Sequence, residues 1–253
     1  MQQSERALRP SDEGNAAPPG ASRRRKATQP AERLLSAAEH LFGERSYQRT
    51  SVAGICARAG IATGSFYLHF NSKADIFAAV VRRINADLRA AMTAALEQAP
   101  GDQRARERAS FGAFFETLSR RPWIDRIVRE SEFVDPGLFR EYYERLARGY
   151  ARGVRHAQLA GEVDARYDPE VIAYLYTGVG NFIGMRWADW TAGGQVPADV
   201  LDDVLEVLAR GLPPKAAGSP AVTEPRPARA PVTAAPAAGG RPAATPPEAG
   251  PPQ

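Results

Sequence analysis

Few side chains in this chain are suited to catalysis, and they are badly placed for it. His40, His69 and His156 lie far apart, and no pair has the i, i+4 spacing of a helical metal site. The one cysteine, Cys56, excludes an intramolecular disulfide and a cysteine-based zinc cluster. It stands at an apolar position of a helical pattern, where a small buried hydrophobe fits better than a reactive thiol. There is no phosphate-binding loop of the Gly-x-x-x-x-Gly-Lys type and no Gly-x-Ser-x-Gly elbow. Gly178-Val179-Gly180-Asn181-Phe182-Ile183-Gly184 looks like a nucleotide loop at first sight. No strand precedes it and helical pattern lies on both sides, so the glycines read as places where helices pack closely. Glu130, Glu132 and Asp135 sit beside Arg126 and Arg129 and read as a salt-bridge set. An enzyme, a cofactor and a bound metal are therefore not expected.

Chemistry for holding a polyanion is present. Arg23-Arg24-Arg25-Lys26 form a cationic arm that could lie along a phosphate track or enter a minor groove. The whole chain of 253 residues has a formal net charge of +4, but the excess is local. Residues 22–84 hold eleven Lys and Arg against four Asp and Glu, whereas residues 85–212 hold sixteen against twenty. A basic head on a mildly acidic body is the footprint of a nucleic-acid-binding unit joined to a regulatory or assembly unit.

The elements that must position these groups are helical. Leu34, Ala37, Ala38, Leu41 and Phe42 recur at i, i+3, i+4, i+7, i+8 and predict a helix from about Pro30 to Gly43. Val52, Ile55, Cys56 and Ala59 predict a second helix, capped by Thr50 or Ser51 and ended by Gly60. A short third segment, Thr63 to Phe70, is dense in polar and aromatic side chains. Ser72 and Asp75 have the spacing of a capping box, and open a helix striped by Ile76, Phe77, Val80, Val81, Ile84 and Leu88. Two short helices joined at a glycine between longer ones read as a helix-turn-helix.

With Ala37-Ala38, Leu41-Phe42, Tyr47, Thr50-Ser51-Val52, Ala59-Gly60-Ile61, Gly64-Ser65-Phe66-Tyr67, His69-Phe70 and Ser72-Lys73 in register, the stretch from Arg33 to Val81 resembles the DNA-binding domain of the TetR/AcrR family of bacterial repressors. The resemblance implies that Ser65, Tyr67, His69 and Lys73 touch the DNA backbone, with Thr50 and Ser51 also among the contacts. His69 fits packing between short helices equally well, and Lys73, a cation at a helix N-terminus, is harder to explain by structure alone. The N-terminal residues of a recognition helix reach base edges, which points to Thr63 and Gly64, with Tyr67 beside them. Ala53 departs from the family habit of a longer polar side chain on the second helix. Thr63 has one short hydroxyl, so part of the specificity is expected from DNA shape.

Beyond Leu88, breaks near Pro100-Gly101, Pro122, Pro136-Gly137, Gly161, Pro169 and Gly193-Gly194 divide the chain into about five helices, two of them long, near 137–160 and 169–192. The second of these is apolar nearly all round. Pro197 opens a last helix striped by Val200, Leu201, Val204, Leu205 and Leu208, and this adjacent pair predicts a homodimer held by residues 169–192 and 197–211. Among the aromatic residues of the body, Trp123, Tyr143 and Phe182 are the candidates for a ligand pocket, with Asn181 and Arg186 as polar partners.

The expected architecture is all-α: a basic disordered arm (1–27), a helix-turn-helix domain (28–75), a helical ligand-binding and dimerisation domain (76–212) and a disordered tail (213–253). Twelve of the 21 prolines fall in that tail. No membrane-spanning or secretory segment is evident, which predicts a cytoplasmic protein. The predicted function is a sequence-specific regulator of double-stranded DNA. Its resemblance implies a repressor released from an inverted-repeat operator by a small apolar or aromatic effector. Alternatives are an activator or ligand-independent regulator of the same fold, and an all-α enzyme or scaffold with an accessory DNA-binding head.

Overall fold

The computed structural model describes residues 19–99, 101, 103–189 and 194–211, with only the helical backbone for 19–28. The predicted flanks at 1–18 and 213–253 lie outside them, as do the side chains of Arg23 to Lys26. All regular structure among the described residues is helical. The head comprises α1 (Pro19–Arg45), α2 (Val52–Ala59) and α3 (Thr63–Phe66). The body comprises α4 (Lys73–Gln98), α5 (Gln103–Arg120), α6 (Ile124–Val134), α7 (Pro136–Leu159), α8 (Pro169–Gly184) with a π-helical turn at Met185–Asp189, and α9 (Ala198–Gly211).

The local signals placed most boundaries, with two corrections at α1. The helix starts at Pro19 instead of Pro30, so the backbone of the expected disordered arm is helical from there. Pro19 suits a first helical position and Ala, Arg and Lys are good helix formers. Pro30 lies in the interior, where it lacks the N–H that would bond four residues back. Gly43 does not end the helix. It is buried, and a Cβ there would come within 2.5 Å of the Trp123 Cβ, so a glycine is needed for close approach of α6.

Ser51 caps α2, its Oγ accepting from the Gly54 N–H at 3.1 Å. Gly60 ends α2 in the left-handed region (φ 63°), its N–H returning to the last turn. Arg33 donates to the freed carbonyls of Ala59 and Gly60, placing a cation at the negative end of α2. The Ser72 Oγ accepts from the Asp75 N–H, while the Asp75 carboxylate accepts from the Asn71 N–H, one residue before the position a standard capping box would use.

Head and body share one core. Phe42, Ile55 and Phe66 of the head are fully buried together with Ile76 and Phe77 of α4, and Leu88, Phe111, Ile124 and Ile127 continue the core into the body. A buried ionic joint adds direction to this contact. Glu39 of α1 accepts from Arg83 at 2.6 Å, from Arg121 at 2.6 and 2.9 Å, and from the Trp123 indole N–H at 3.0 Å. Burial alone would raise the Glu39 pKa, but hydrogen bonds from Trp123, Arg83 and Arg121 outweigh it and hold the carboxyl below its ordinary 4.5. The Tyr47 N–H donates to Glu130 at 2.7 Å, a second tie between head and body.

In the body α7 and α8 form the most extensive pair, and α5 packs against α4, α8 and α9. The glycine run in α8 serves helix packing at two of its three positions. Cβ atoms at Gly180 and Gly184 would meet Phe111 and Leu118 of α5, at 3.4 and 2.6 Å, whereas Gly178 faces open space. In α9 Leu205 and Leu208 are buried within the protomer, whereas Val200, Leu201 and Val204 are half-buried and Val207 is exposed. An exposed apolar face runs along α8, where Val171, Tyr174, Leu175 and Phe182 are exposed.

Candidate DNA interface and body cavity

Phe66 and Phe70 anchor the recognition segment in the core, which turns the residues between them outward. Tyr67 is 58% exposed and Leu68 80% exposed, and Thr63, Gly64 and His69 are exposed with them. The packing alternative for His69 therefore does not hold. Ser65 is partly covered. Ala62, at the N-cap, has no side chain able to cap α3, so the first N–H groups of this short helix keep no side-chain partner at that position. Arg49 and Gln48 are also exposed just before α2, and neither was singled out from sequence. A cation directly before Thr50-Ser51 was the available signal for Arg49.

Two candidate contacts turn inward. Thr50 is 4% exposed and its hydroxyl lies 2.8 Å from the Ser46 carbonyl and 3.2 Å from that of Leu41, so it fastens the α1–α2 turn. Lys73 is half-buried; its Nζ donates to the Tyr47 carbonyl at 3.0 Å and lies 4.2 Å from the centre of the Tyr47 ring. These contacts compensate for a cation at a helix N-terminus and make Lys73 a latch between α4 and the α1–α2 turn.

Gly64 has an informative environment. A Cβ there would meet nothing within 4 Å, and its backbone is helical, so the protein itself does not need a glycine. Replacing Gly64 with alanine should raise folding stability by about 0.5–1 kcal/mol. The same change should weaken DNA binding by crowding the approach of a nucleic acid backbone. A denaturation curve with a DNA titration checks both, and a stabilised variant with unchanged affinity would remove Gly64 from the interface.

The predicted ligand residues are dispersed. Trp123 lies against Gly43 and donates to Glu39, so it belongs to the head–body joint. Phe182 is 65% exposed on the outer face of α8. Arg186 is exposed, its guanidinium over the Trp187 ring at 5.2 Å. Tyr143 and Asn181 do meet, with the phenol donating to the Asn181 side-chain oxygen at 3.3 Å, but they border a space of only about 20 Å³. Burial pushes the Tyr143 pKa up to about 12, so this phenol stays protonated.

A cavity of about 320 Å³ opens elsewhere, between α4, α5 and α7. It is lined by Met92, Leu96, Phe111 and Leu146, together with Tyr150 and Tyr176. Small residues make the space: Gly149, Gly153, Ala157 and Ala160 fall on one side of α7, and a Cβ at either glycine would meet nothing within 4 Å. Tyr176 donates to Glu107 at 2.6 Å, and burial, followed by Glu107, raises its pKa. Burial likewise raises the pKa of Tyr150, despite a hydrogen bond with Ser110. Both phenols are neutral donors across the physiological range.

A helix-turn-helix head fixed on a cavity-bearing helical body defines a DNA-binding transcriptional regulator. Residues 34–80 match the model of the tetR family of bacterial regulatory proteins. The chain is 32% identical over 124 residues to the HTH-type transcriptional activator FasR of Mycolicibacterium smegmatis, a match spanning 48% of this chain and 56% of FasR. It is 33% identical over 145 residues to the HTH-type transcriptional repressor DhaR of Mycobacterium sp. strain GP1, spanning 55% of this chain and 73% of DhaR. Among solved structures, it is similar to the fatty acid degradation regulator FadR of Bacillus halodurans (16% identical, TM-score 0.61, covering 70% of this chain and 93% of that one). It is also similar to a TetR-like transcriptional regulator of Rhodococcus sp. RHA1 (25% identical, TM-score 0.55, covering 72% and 94%). The chain belongs to the TetR family and is a transcriptional regulator. Among the described residues no helix is long and apolar enough to cross a membrane, and no group of three metal-ligating side chains occurs.

Proposed function

We propose that the protein is a dimeric repressor that occupies an inverted-repeat operator and leaves it when a small, largely apolar molecule enters the body cavity. The observation that carries this reading is the cavity of about 320 Å³ on α4, the helix that also closes the core of the DNA-binding head. In this reading Thr63, Gly64 and Tyr67 face the bases. Ser51, Ser65, His69 and the arm from Arg23 to Lys26 hold phosphates, while Thr50 and Lys73 position the turn. The head is taken as residues 28–75 and the body as 76–212. The exposed face of α8 is the contact between subunits, because two copies related by a two-fold axis would cover Val171, Leu175 and Phe182 from water. Repression is favoured by the resemblance to DhaR. The resemblance to FasR, an activator, supports the second reading, in which the same binding recruits transcription.

Selection of bound sequences from random DNA tests the proposal. An inverted repeat is expected, and affinity for it should fall with salt by a log–log slope of roughly 0.9 per phosphate neutralised. Enrichment of a single half-site without symmetry would contradict the dimeric reading. Transcription from that operator, with and without the protein, separates repressor from activator.

A further inference from the structure

The cavity has a charge asymmetry, and resting on the proposal that it holds the effector, we infer that its ligand is an amphiphilic anion: an apolar chain with a carboxylate-like head. Arg89, Arg152 and His156 border the space, and their side chains form no hydrogen bond or ion pair among the described residues. The two acidic residues of the wall are already engaged. Glu162 accepts from Arg106 at 2.8 and 2.9 Å, and Glu107 accepts from Tyr176 and, at 3.0 Å, from Gln103. The Nε of Arg106 is buried without a partner, which adds a donor that a ligand oxygen could satisfy.

The placement of these groups follows from helix geometry. Arg152 and His156 are one turn apart on α7, on the side that carries the cavity-forming glycines, and Arg89 lies one turn before Met92 on α4. The free guanidinium groups of Arg89 and Arg152 thus border a space whose wall is built from Met92, Leu96, Phe111 and Leu146. A neutral hydrocarbon would leave the cations unused. A cationic amphiphile would meet like charge. An anion would gain charge-assisted hydrogen bonds, and arginine is well shaped for a carboxylate.

Decanoate and decyltrimethylammonium below their micelle concentrations, and decanol below its solubility limit, test this with the full chain by titration calorimetry. Decanoate should bind at least about tenfold more tightly than either of the others, and the double variant Arg89→Gln/Arg152→Gln should weaken it by roughly tenfold while leaving decanol unchanged. Gly149→Leu, which fills the cavity from α7, should abolish decanoate binding while keeping wild-type circular dichroism. Gly153→Leu provides the same test from the next turn. Equal binding of decanol, tighter binding of the cation, no binding by any probe, or full decanoate affinity in both leucine variants would each overturn the inference. The operator arm is read separately. Charge-selective binding of decanoate that leaves operator affinity untouched would keep this site assignment and sink the proposed release step.

Discussion

Replacing Glu39 with alanine is expected to lower folding stability by about 2–3 kcal/mol. The side chain is nearly buried and is the acceptor for two arginines and one indole, so its loss leaves Arg83, Arg121 and Trp123 with unmatched donors in a poorly solvated joint. Removing one partner of a buried pair costs more, about 3–5 kcal/mol, but the two arginines keep some solvent contact and recover part of it. Urea denaturation measures the change. Glu39→Gln keeps an acceptor for Trp123 and should lose less. Because the folded pKa lies below the ordinary 4.5, the wild-type advantage over glutamine is complete above about pH 4.5 and shrinks as pH falls through the lowered value. A glutamine variant as stable as wild type at neutral pH would show that charge at Glu39 contributes nothing.

The second large effect is expected at the outer face of α8. Phe182→Glu would place a charge in the proposed subunit contact twice, once from each copy. With hot-spot side chains contributing about 2–4 kcal/mol each, sedimentation should show monomers at micromolar concentration. Operator affinity should then drop by roughly a hundredfold or more, because two linked heads bind with far higher effective concentration than one. Leu205→Glu makes the contrasting case. Leu205 is buried within the protomer, so this variant should lose helical signal, whereas Phe182→Glu should keep it. A dimeric Phe182→Glu protein would move the subunit contact elsewhere.

The head was legible in the sequence because its determinants are local. Caps, the Gly60 turn and helical spacing are set within a few residues, and Ser51, Ser72 and Gly60 act where the sequence pattern puts them. The partners of Thr50 and Lys73 were not legible, because each is a backbone carbonyl presented by a neighbouring turn. The dispersal of the ligand candidates has another reason. Trp123 and Phe182 are large, but large side chains also fill joints and outer faces: the packing of α1 against α6 takes Trp123, and Phe182 stands exposed on α8. A cavity is marked by what is missing. Its signal was the small residues at Gly149, Gly153, Ala157 and Ala160, which read from sequence as ordinary helix positions.

Those two glycines of α7 also bear on how the protein can change over generations. Alanine at either would favour the helix by about 0.5–1 kcal/mol and would meet no neighbour, so the native chain forgoes stability that a single substitution could recover. Under the proposed function, such positions let selection alter the size of the accepted molecule through one side chain, far from the recognition segment and without disturbing the core of the head. On that reading, ligand preference can drift among descendants of this chain while the DNA sequence they bind stays the same, and selection for heat resistance would narrow the range of molecules they sense.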